Sequence, residues 1–409
     1  MDFPDPAPDA ATRAAPPPLP SNAPAVQHRH ATGAMAHNPA IDTLRGVAIM
    51  MVLLLHFALS YGLRDSPVGL LPAPLVRAFA RDGNYGVTIF FAISGFLITT
   101  HTLRRAGTLA NVDLRRFYLL RAGRILPPLL LVLAIIVGLG VLGLPSFSNA
   151  DETHDLPASH FWIGVGSVLT FWHNVLMQRI GYFNYCLNIY WSLSVEEVFY
   201  LLLPVLCVTL RRERWLLAVC LALIAAGPWY RHRHADNELF FMYGYLACFD
   251  AIAMGCISAV LAQRWRIGVG ASRTLQLVAA AALLTLYWRG IAGNETLGFS
   301  AVGLASAVYL FAVAQRPPRT TGAGAALSAP LRWMGRHSYE LYLFHIVVLG
   351  LMRDFVAKTQ LTYATRLPWF LLFVALSALI AALVARFVSA PANRRVRRGM
   401  SVDAGPAGH

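Results

Sequence analysis

The chain has 409 residues, of which 57% are hydrophobic and 13% are charged, and its formal net charge is +14. A soluble domain has roughly 25% charged residues, so the composition excludes a water-soluble globular protein. It predicts an all-α fold, a polytopic bundle of membrane helices. The arginines cluster at the ends of apolar runs, so the net charge indicates a lipid bilayer as partner rather than nucleic acid.

The chain divides into two tails and one membrane domain. Residues 1–40 are rich in Ala, Pro and Asp without apolar periodicity, which predicts a disordered cytoplasmic N-terminal tail. Residues 41–391 are predicted to form the transmembrane domain, and residues 392–409 a basic cytoplasmic C-terminal tail. The domain contains eleven apolar segments: 44–62, 86–103, 125–144, 161–176, 191–210, 214–230, 240–263, 272–289, 297–315, 337–353 and 368–390.

The arginine distribution decides how many of these segments cross the membrane. If all eleven crossed, the basic stretch 211–214 and each later basic loop would lie outside. If the fourth segment, 161–176, does not cross, five basic regions with twenty arginines face the cytoplasm. The positive-inside rule therefore predicts about ten transmembrane helices with both termini cytoplasmic. The short fourth segment is then re-entrant or interfacial and lines a polar cavity.

The first apolar segment carries two ionisable residues, Arg45 and His56. Their spacing of eleven residues brings them to nearly the same helix face, roughly 16 Å apart along the axis. Arg45 is then at the membrane surface, and His56 is about halfway through the hydrocarbon. An imidazole at that depth is costly, which makes it a candidate functional group, although a histidine bonded to a neighbouring helix is the structural alternative.

Two further polar groups lie in the segments that follow. Ser94 is at mid-depth of the second segment, where helix packing is the alternative role. Arg121 and Arg124 are three residues apart and therefore share a helix face. A guanidinium pair suits phosphate binding, although a basic loop that sets the topology is the alternative.

Two later segments carry polar stripes. Ser192, Glu196 and Tyr200 are spaced four residues apart and share one face, where a carboxylate near a helix N-terminus is the structural alternative. Tyr342 and His345 fall on one face with Ser338. Five polar clusters of this kind predict one shared polar cavity inside the bundle.

The same motifs, in the same order, resemble the bacterial membrane acyltransferase-3 family of O-acyltransferases. The resemblance covers about residues 40–391 and includes a weaker match at Phe249-Asp250-Ala251 with Gly255. It implies ten helices with both termini cytoplasmic. One departure is Ser389, which stands before Ala390-Pro391 where the family commonly has glutamate.

The resemblance implies a reaction and a set of roles. An acyl group, acetyl in the first place, would move from cytoplasmic acyl-CoA to a hydroxyl of a glycan or lipid-linked saccharide at the outer side of the bacterial inner membrane. Arg121, Arg124 and Arg45 would hold the donor. His56 would be the general base or would take the acyl group itself, and Glu196 would orient or charge-stabilise its imidazole.

The remaining candidates would stabilise the oxyanion or line the acceptor path: Ser94, Ser192, Tyr342 and His345. Arg45 is also a candidate catalytic residue, and no metal is expected. Intramembrane Arg, His and Glu also occur in transporters, so a proton-coupled exporter of a polar substrate is an alternative function. A receptor that binds a ligand without turnover is a second alternative. The sequence shows no inverted repeat that would favour the transporter.

Overall fold

The computed structural model describes residues 38–62, 82–149, 156–317 and 323–402, and every regular element within these ranges is helical. Most of the predicted N-terminal tail therefore lies outside the described residues. The first helix begins at Pro39, where the side chain of Asn38 accepts a hydrogen bond from the Ala40 amide as an N-cap.

Sixteen α-helices follow one another along the described chain. They are α1 (Pro39–Tyr61), α2 (Tyr85–Ala106), α3 (Leu114–Val141), α4 (Ser159–Leu169), α5 (His173–Ile180), α6 (Trp191–Leu210), α7 (Glu213–Arg233), α8 (Glu238–Tyr243), α9 (Tyr245–Arg264), α10 (Val269–Arg289), α11 (Glu295–Ala314), α12 (Ala323–Leu327), α13 (Ala329–Arg336), α14 (Ser338–Phe355), α15 (Tyr363–Val384) and α16 (Ala390–Val402).

Ten of these helices are at least 18 residues long, and they correspond to the ten segments expected to cross. The described residues contain eight helices, or runs of consecutive helices, that are both long and apolar enough to span a membrane. The long helices α7 and α14 are not among these eight. The predicted class, a polytopic helical membrane protein, is confirmed.

The fourth apolar segment is not one helix. It is divided into α4, of 11 residues, and α5, of 8 residues, at a break where Phe171 has a φ of +61°. At 1.5 Å per residue neither piece reaches across a hydrocarbon layer about 30 Å thick. Neighbouring elements bond the polar groups of α5: the His173 amide donates to Ser194 Oγ, and Asn174 Nδ2 donates to the Tyr243 carbonyl.

Helices α2 and α9 pack closely at the centre of the bundle. A Cβ added to Gly95 would overlap the carbonyl of Ile252 on α9, and one added to Gly255 would overlap the carbonyl of Ala92 on α2. Small residues that let backbones approach in this way are typical of membrane helix interfaces. The contact fixes the position of Ser94, which is next to Gly95 on α2.

A buried ion pair joins α7 to α9. Arg231 Nη2 is 2.6 Å from Asp250 Oδ2, and both side chains are almost fully buried. The same guanidinium group donates to the hydroxyl of Ser300 on α11 and to backbone carbonyls, which compensates for the desolvation of both charges. Asp250, part of the weaker family motif, therefore has a bonding partner in the helix packing.

The end of the described chain is more ordered than a tail. After α15 the helix continues through a single π-helical turn, Ala385–Ser389, into α16. Pro391 stands two residues after that turn, and it removes one amide donor from the ladder. The segment from residue 392, expected to be a basic tail, is helical as far as Val402 and packs on α3, with Val396 against Gly123.

Candidate active site

A cavity of about 470 Å³ lies between helices α2, α3, α6 and α14, and residues of α16 also line it. It brings together most of the polar residues singled out in the sequence. Its walls include Arg45, Ser94, Arg105, Asp113, Arg116, Arg121, Arg124, Ser192, Glu196, Glu197, Tyr200, Ser338, Tyr342, Asn393 and Arg397.

One end of the cavity is lined by guanidinium groups, and we call it the arginine end. It consists of Arg105, Arg116 and Arg397, and Arg121 and Arg124 extend from it toward Glu196, with which both interact electrostatically. The guanidinium carbon of Arg121 lies 3.6 Å from the centre of the Tyr200 ring, and no hydrogen bond is made by its buried Nε within the described residues. With Arg45, the cavity walls carry six arginines and three acidic side chains, so the cavity favours an anionic ligand.

The other end, which we call the deep end, is lined by Ser94, Ser192, Glu196 and Tyr342. Ser94 is eleven residues before Arg105 on α2, so the two ends are roughly 16 Å apart along that helix. Ser94 Oγ donates to Glu196 Oε1 at 2.7 Å, which joins α2 to α6. Arg45 Nη2 donates to Ser338 Oγ at 2.7 Å, which joins α1 to α14.

The side chains of Tyr342 and Ser192 are hydrogen-bonded to each other at the deep end of the cavity. The Tyr342 hydroxyl donates its proton to the Ile189 carbonyl at 2.6 Å, and it lies 2.6 Å from Ser192 Oγ. Since a tyrosine hydroxyl has one proton, Ser192 is the donor in that second bond. Neither hydroxyl therefore has an unused proton for an oxyanion in this conformation.

His56 and His345 lie together just beyond the cavity wall. Their ring centres are 5.0 Å apart, and His345 Nε2 is 3.4 Å from His56 Nδ1. The ring of Tyr342 is 5.8 Å from that of His345, so Tyr342 contacts both the cavity and the histidine pair. His345 is fully buried, whereas His56 is partly accessible.

The hydrogen bonds assign the tautomer of each neutral ring. Nδ1 of His345 is 2.8 Å from the Tyr342 carbonyl, which only accepts, so this nitrogen carries the proton and Nε2 is an acceptor. Nδ1 of His56 then faces two acceptors, His345 Nε2 and the Val52 carbonyl at 2.9 Å, and must also carry its proton. The lone pair of His56 is therefore on Nε2, which makes no hydrogen bond to any described residue.

The structure places some candidates together and separates others. Arg45, Arg121 and Arg124 line one cavity, as their expected roles require. Glu196 bonds to Ser94, and its carboxylate makes no hydrogen bond with His56, whose imidazole partner is His345. Both nitrogens of His345 are engaged, which leaves this residue no donor for an oxyanion.

Several cavity residues were missed in the sequence. Arg105, Arg116 and Arg397 were counted only as basic residues that set the topology, because their helix faces could not be related to one another. Tyr200 was named in the sequence only as part of the stripe with Ser192 and Glu196, without a role of its own, and it also lines the cavity.

Comparison with known proteins identifies relatives over most of the chain. A family model described as an acyltransferase domain matches residues 38–386. A Staphylococcus aureus (strain MSSA476) protein provisionally named an O-acetyltransferase is 25% identical, over 87% of this chain and 57% of the relative. The O-acetyltransferase OatA of S. aureus (strain NCTC 8325) is 23% identical over the same shares. The chain thus spans a little over half the length of these relatives. No solved structure matches it.

Proposed function

Because the chain belongs to the acyltransferase family whose domain covers residues 38–386, we propose that it is a membrane-embedded O-acyltransferase. It moves an acyl group, acetyl in the first place, from cytoplasmic acyl-CoA to a hydroxyl of a glycan or lipid-linked saccharide outside the inner membrane. The observation that carries this proposal is one cavity that runs from a cluster of arginines to a wall shared with a histidine pair.

The arginine end is the donor site. An acyl-CoA has an anionic nucleotide end and a long, flexible arm that ends in the thioester. Arg121 and Arg124 would bind phosphate groups through charge-assisted hydrogen bonds, and the apolar residues of the cavity walls would take the arm. The thioester then lies at the deep end and reaches His56 past the side chain of Tyr342.

His56 is the general base of the proposed reaction. The lone pair on Nε2 takes the proton of the acceptor hydroxyl, and the hydroxyl oxygen attacks the thioester carbonyl carbon. The C–S bond of the tetrahedral intermediate then breaks. The CoA thiolate recovers the proton from the imidazolium, which leaves an ester and free CoA. His345 is a positioning residue, since it accepts from Nδ1 of His56 and so keeps the reactive lone pair on Nε2.

The membrane topology on which this proposal depends can be tested at the end of α5. Arg179 is exposed and belongs to the stretch 177–190 that we expect outside the cell. Cysteine at this position, Arg179→Cys, should react with an impermeant maleimide added to intact spheroplasts. The five native cysteines are buried and provide a low background. Labelling of Arg179→Cys only after lysis would contradict both termini being cytoplasmic.

The donor site predicts a specific kinetic defect. Arg121→Ala should raise the KM for acyl-CoA tenfold to a hundredfold, since a lost charge-assisted contact costs about 1.5–3 kcal/mol. The matched control is Arg115→Ala, because Arg115 is exposed on the same helix and does not line the cavity. Steady-state release of free CoA measures both variants. Equal KM values for Arg121→Ala and the wild type would remove Arg121 from the donor site.

A further inference from the structure

The C-terminal helix α16 lies beyond the residues that the family model matches. The family match ends at residue 386, within the π-helical turn that precedes α16. Helix α16 nonetheless packs on α3, and its Val396 lies so close to Gly123 that a Cβ there would be 2.6 Å from Val396 Cγ2. Because Gly123 is between Arg121 and Arg124, this contact holds α16 against the donor site.

One face of α16 forms part of the cavity wall. Asn393 and Arg397 are one helical turn apart and both line the cavity, whereas Arg394, Arg395 and Arg398 do not. Arg397 Nε donates to Asn393 Oδ1 at 3.1 Å, which holds the guanidinium group along the helix face. The remaining donors of Arg397 are on the part of the side chain that lies at the arginine end.

The charges at this end require a ligand of opposite sign. Arg397 interacts electrostatically with Arg105, which also interacts with Arg116, and Arg121 and Arg124 line the same cavity. The nearest acidic residue in the wall, Asp113, accepts from the Arg116 amide as the N-cap of α3. Like charges brought together in this way repel each other, and a multiply charged anion removes that cost.

We propose that α16 is a wall of the donor site and that Arg397 binds the phosphate groups of acyl-CoA. This inference rests on the proposed function and adds to it a binding residue outside the family domain. Helix α16 continues from α15 through the π-helical turn, and this places Asn393 and Arg397 in the cavity wall.

The test is a titration of the purified full-length protein with CoA. Arg397→Ala should raise the Kd about fivefold, because an ion pair at an exposed position contributes less than a buried one. Arg397→Glu should raise it further. The matched control is Arg395→Ala, which removes the same charge from the opposite, exposed face of α16 and should leave the Kd within about twofold of the wild type.

A second variant tests whether the position of α16, and not only the Arg397 side chain, contributes to CoA binding. Gly123→Leu should displace Val396 and raise the Kd for CoA by a similar factor, and adding Arg397→Ala to it should change the Kd little further. Equal Kd values for wild type, Arg397→Ala and Arg397→Glu would overturn the inference. Equal losses in Arg395→Ala and Arg397→Ala would also overturn it, since they would indicate general attraction to the basic helix. If wild-type protein does not bind CoA at all, the proposed function itself fails.

Discussion

Replacing His56 by alanine should abolish acyl transfer, with a loss of about 10²–10⁴-fold in kcat, because general-base catalysis contributes that much. His56→Gln should be nearly as inactive, since an amide has no basic nitrogen even though it keeps a hydrogen-bonding group. Both variants should still bind CoA, because His56 does not line the donor cavity. Acyl transfer is measured as acceptor-dependent release of free CoA from membranes that contain the variant.

The activity and the folding of the two variants together distinguish a catalytic histidine from a structural one. A purely structural histidine would be replaced well by glutamine and badly by alanine, and the alanine variant would be poorly inserted or unfolded. A catalytic histidine gives two folded, CoA-binding and inactive proteins. Substantial transfer by folded His56→Ala would contradict the assignment, and His345, which is 3.4 Å away, would then be the next base to test.

Glu196→Gln should cause the second largest loss, about a hundredfold in kcat/KM. The carboxylate accepts from Ser94 at 2.7 Å and interacts electrostatically with Arg121, Arg45 and Arg124. Removing its charge while keeping its shape takes away one counter-charge of those buried arginines and leaves Glu197 as another for Arg121 and Arg124, and this costs more than losing one neutral hydrogen bond. The measurement is kcat/KM for acyl-CoA.

Ser94→Ala is the matched comparison for Glu196→Gln. It removes the hydroxyl that donates to the carboxylate but leaves the charge in place, so its loss should be near tenfold or smaller. If Ser94→Ala and Glu196→Gln reduce kcat/KM equally, the hydrogen bond and not the charge is what the site needs. If Glu196→Gln is fully active, Glu196 has no role in the reaction.

The number and the lengths of the helices were largely predictable from the sequence, because they depend on local properties. Apolar length and arginine positions predicted ten membrane-crossing segments and a fourth segment that does not cross. The described residues form ten helices of at least 18 residues, and the fourth segment is divided at Phe171. The spacing of Arg121 and Arg124 also predicted that they share one helix face, and both residues line one cavity. Each of these features is set within a single helix or by its two ends.

The pairing of side chains between helices was not predictable in the same way. Spacing places Glu196 on a face of α6, but it does not say which helix that face meets. The close contact of α2 with α9 positions Ser94, and Ser94 rather than His56 is the partner of Glu196. His345 was expected to stabilise an oxyanion or to line the acceptor path. Its backbone bonds and its contact with His56 depend on how α14 is rotated against α1.

The proposed function is that this chain esterifies a hydroxyl outside the membrane with an acyl group from inside. It is tested most directly by alkali-labile acyl groups on the surface glycans of the host bacterium, measured by NMR. Deleting the gene should remove one class of acyl ester. Wild-type protein should restore it, and His56→Ala, present in the membrane at the same level, should not. Unchanged acyl esters after deletion, or full restoration by His56→Ala, would contradict the account.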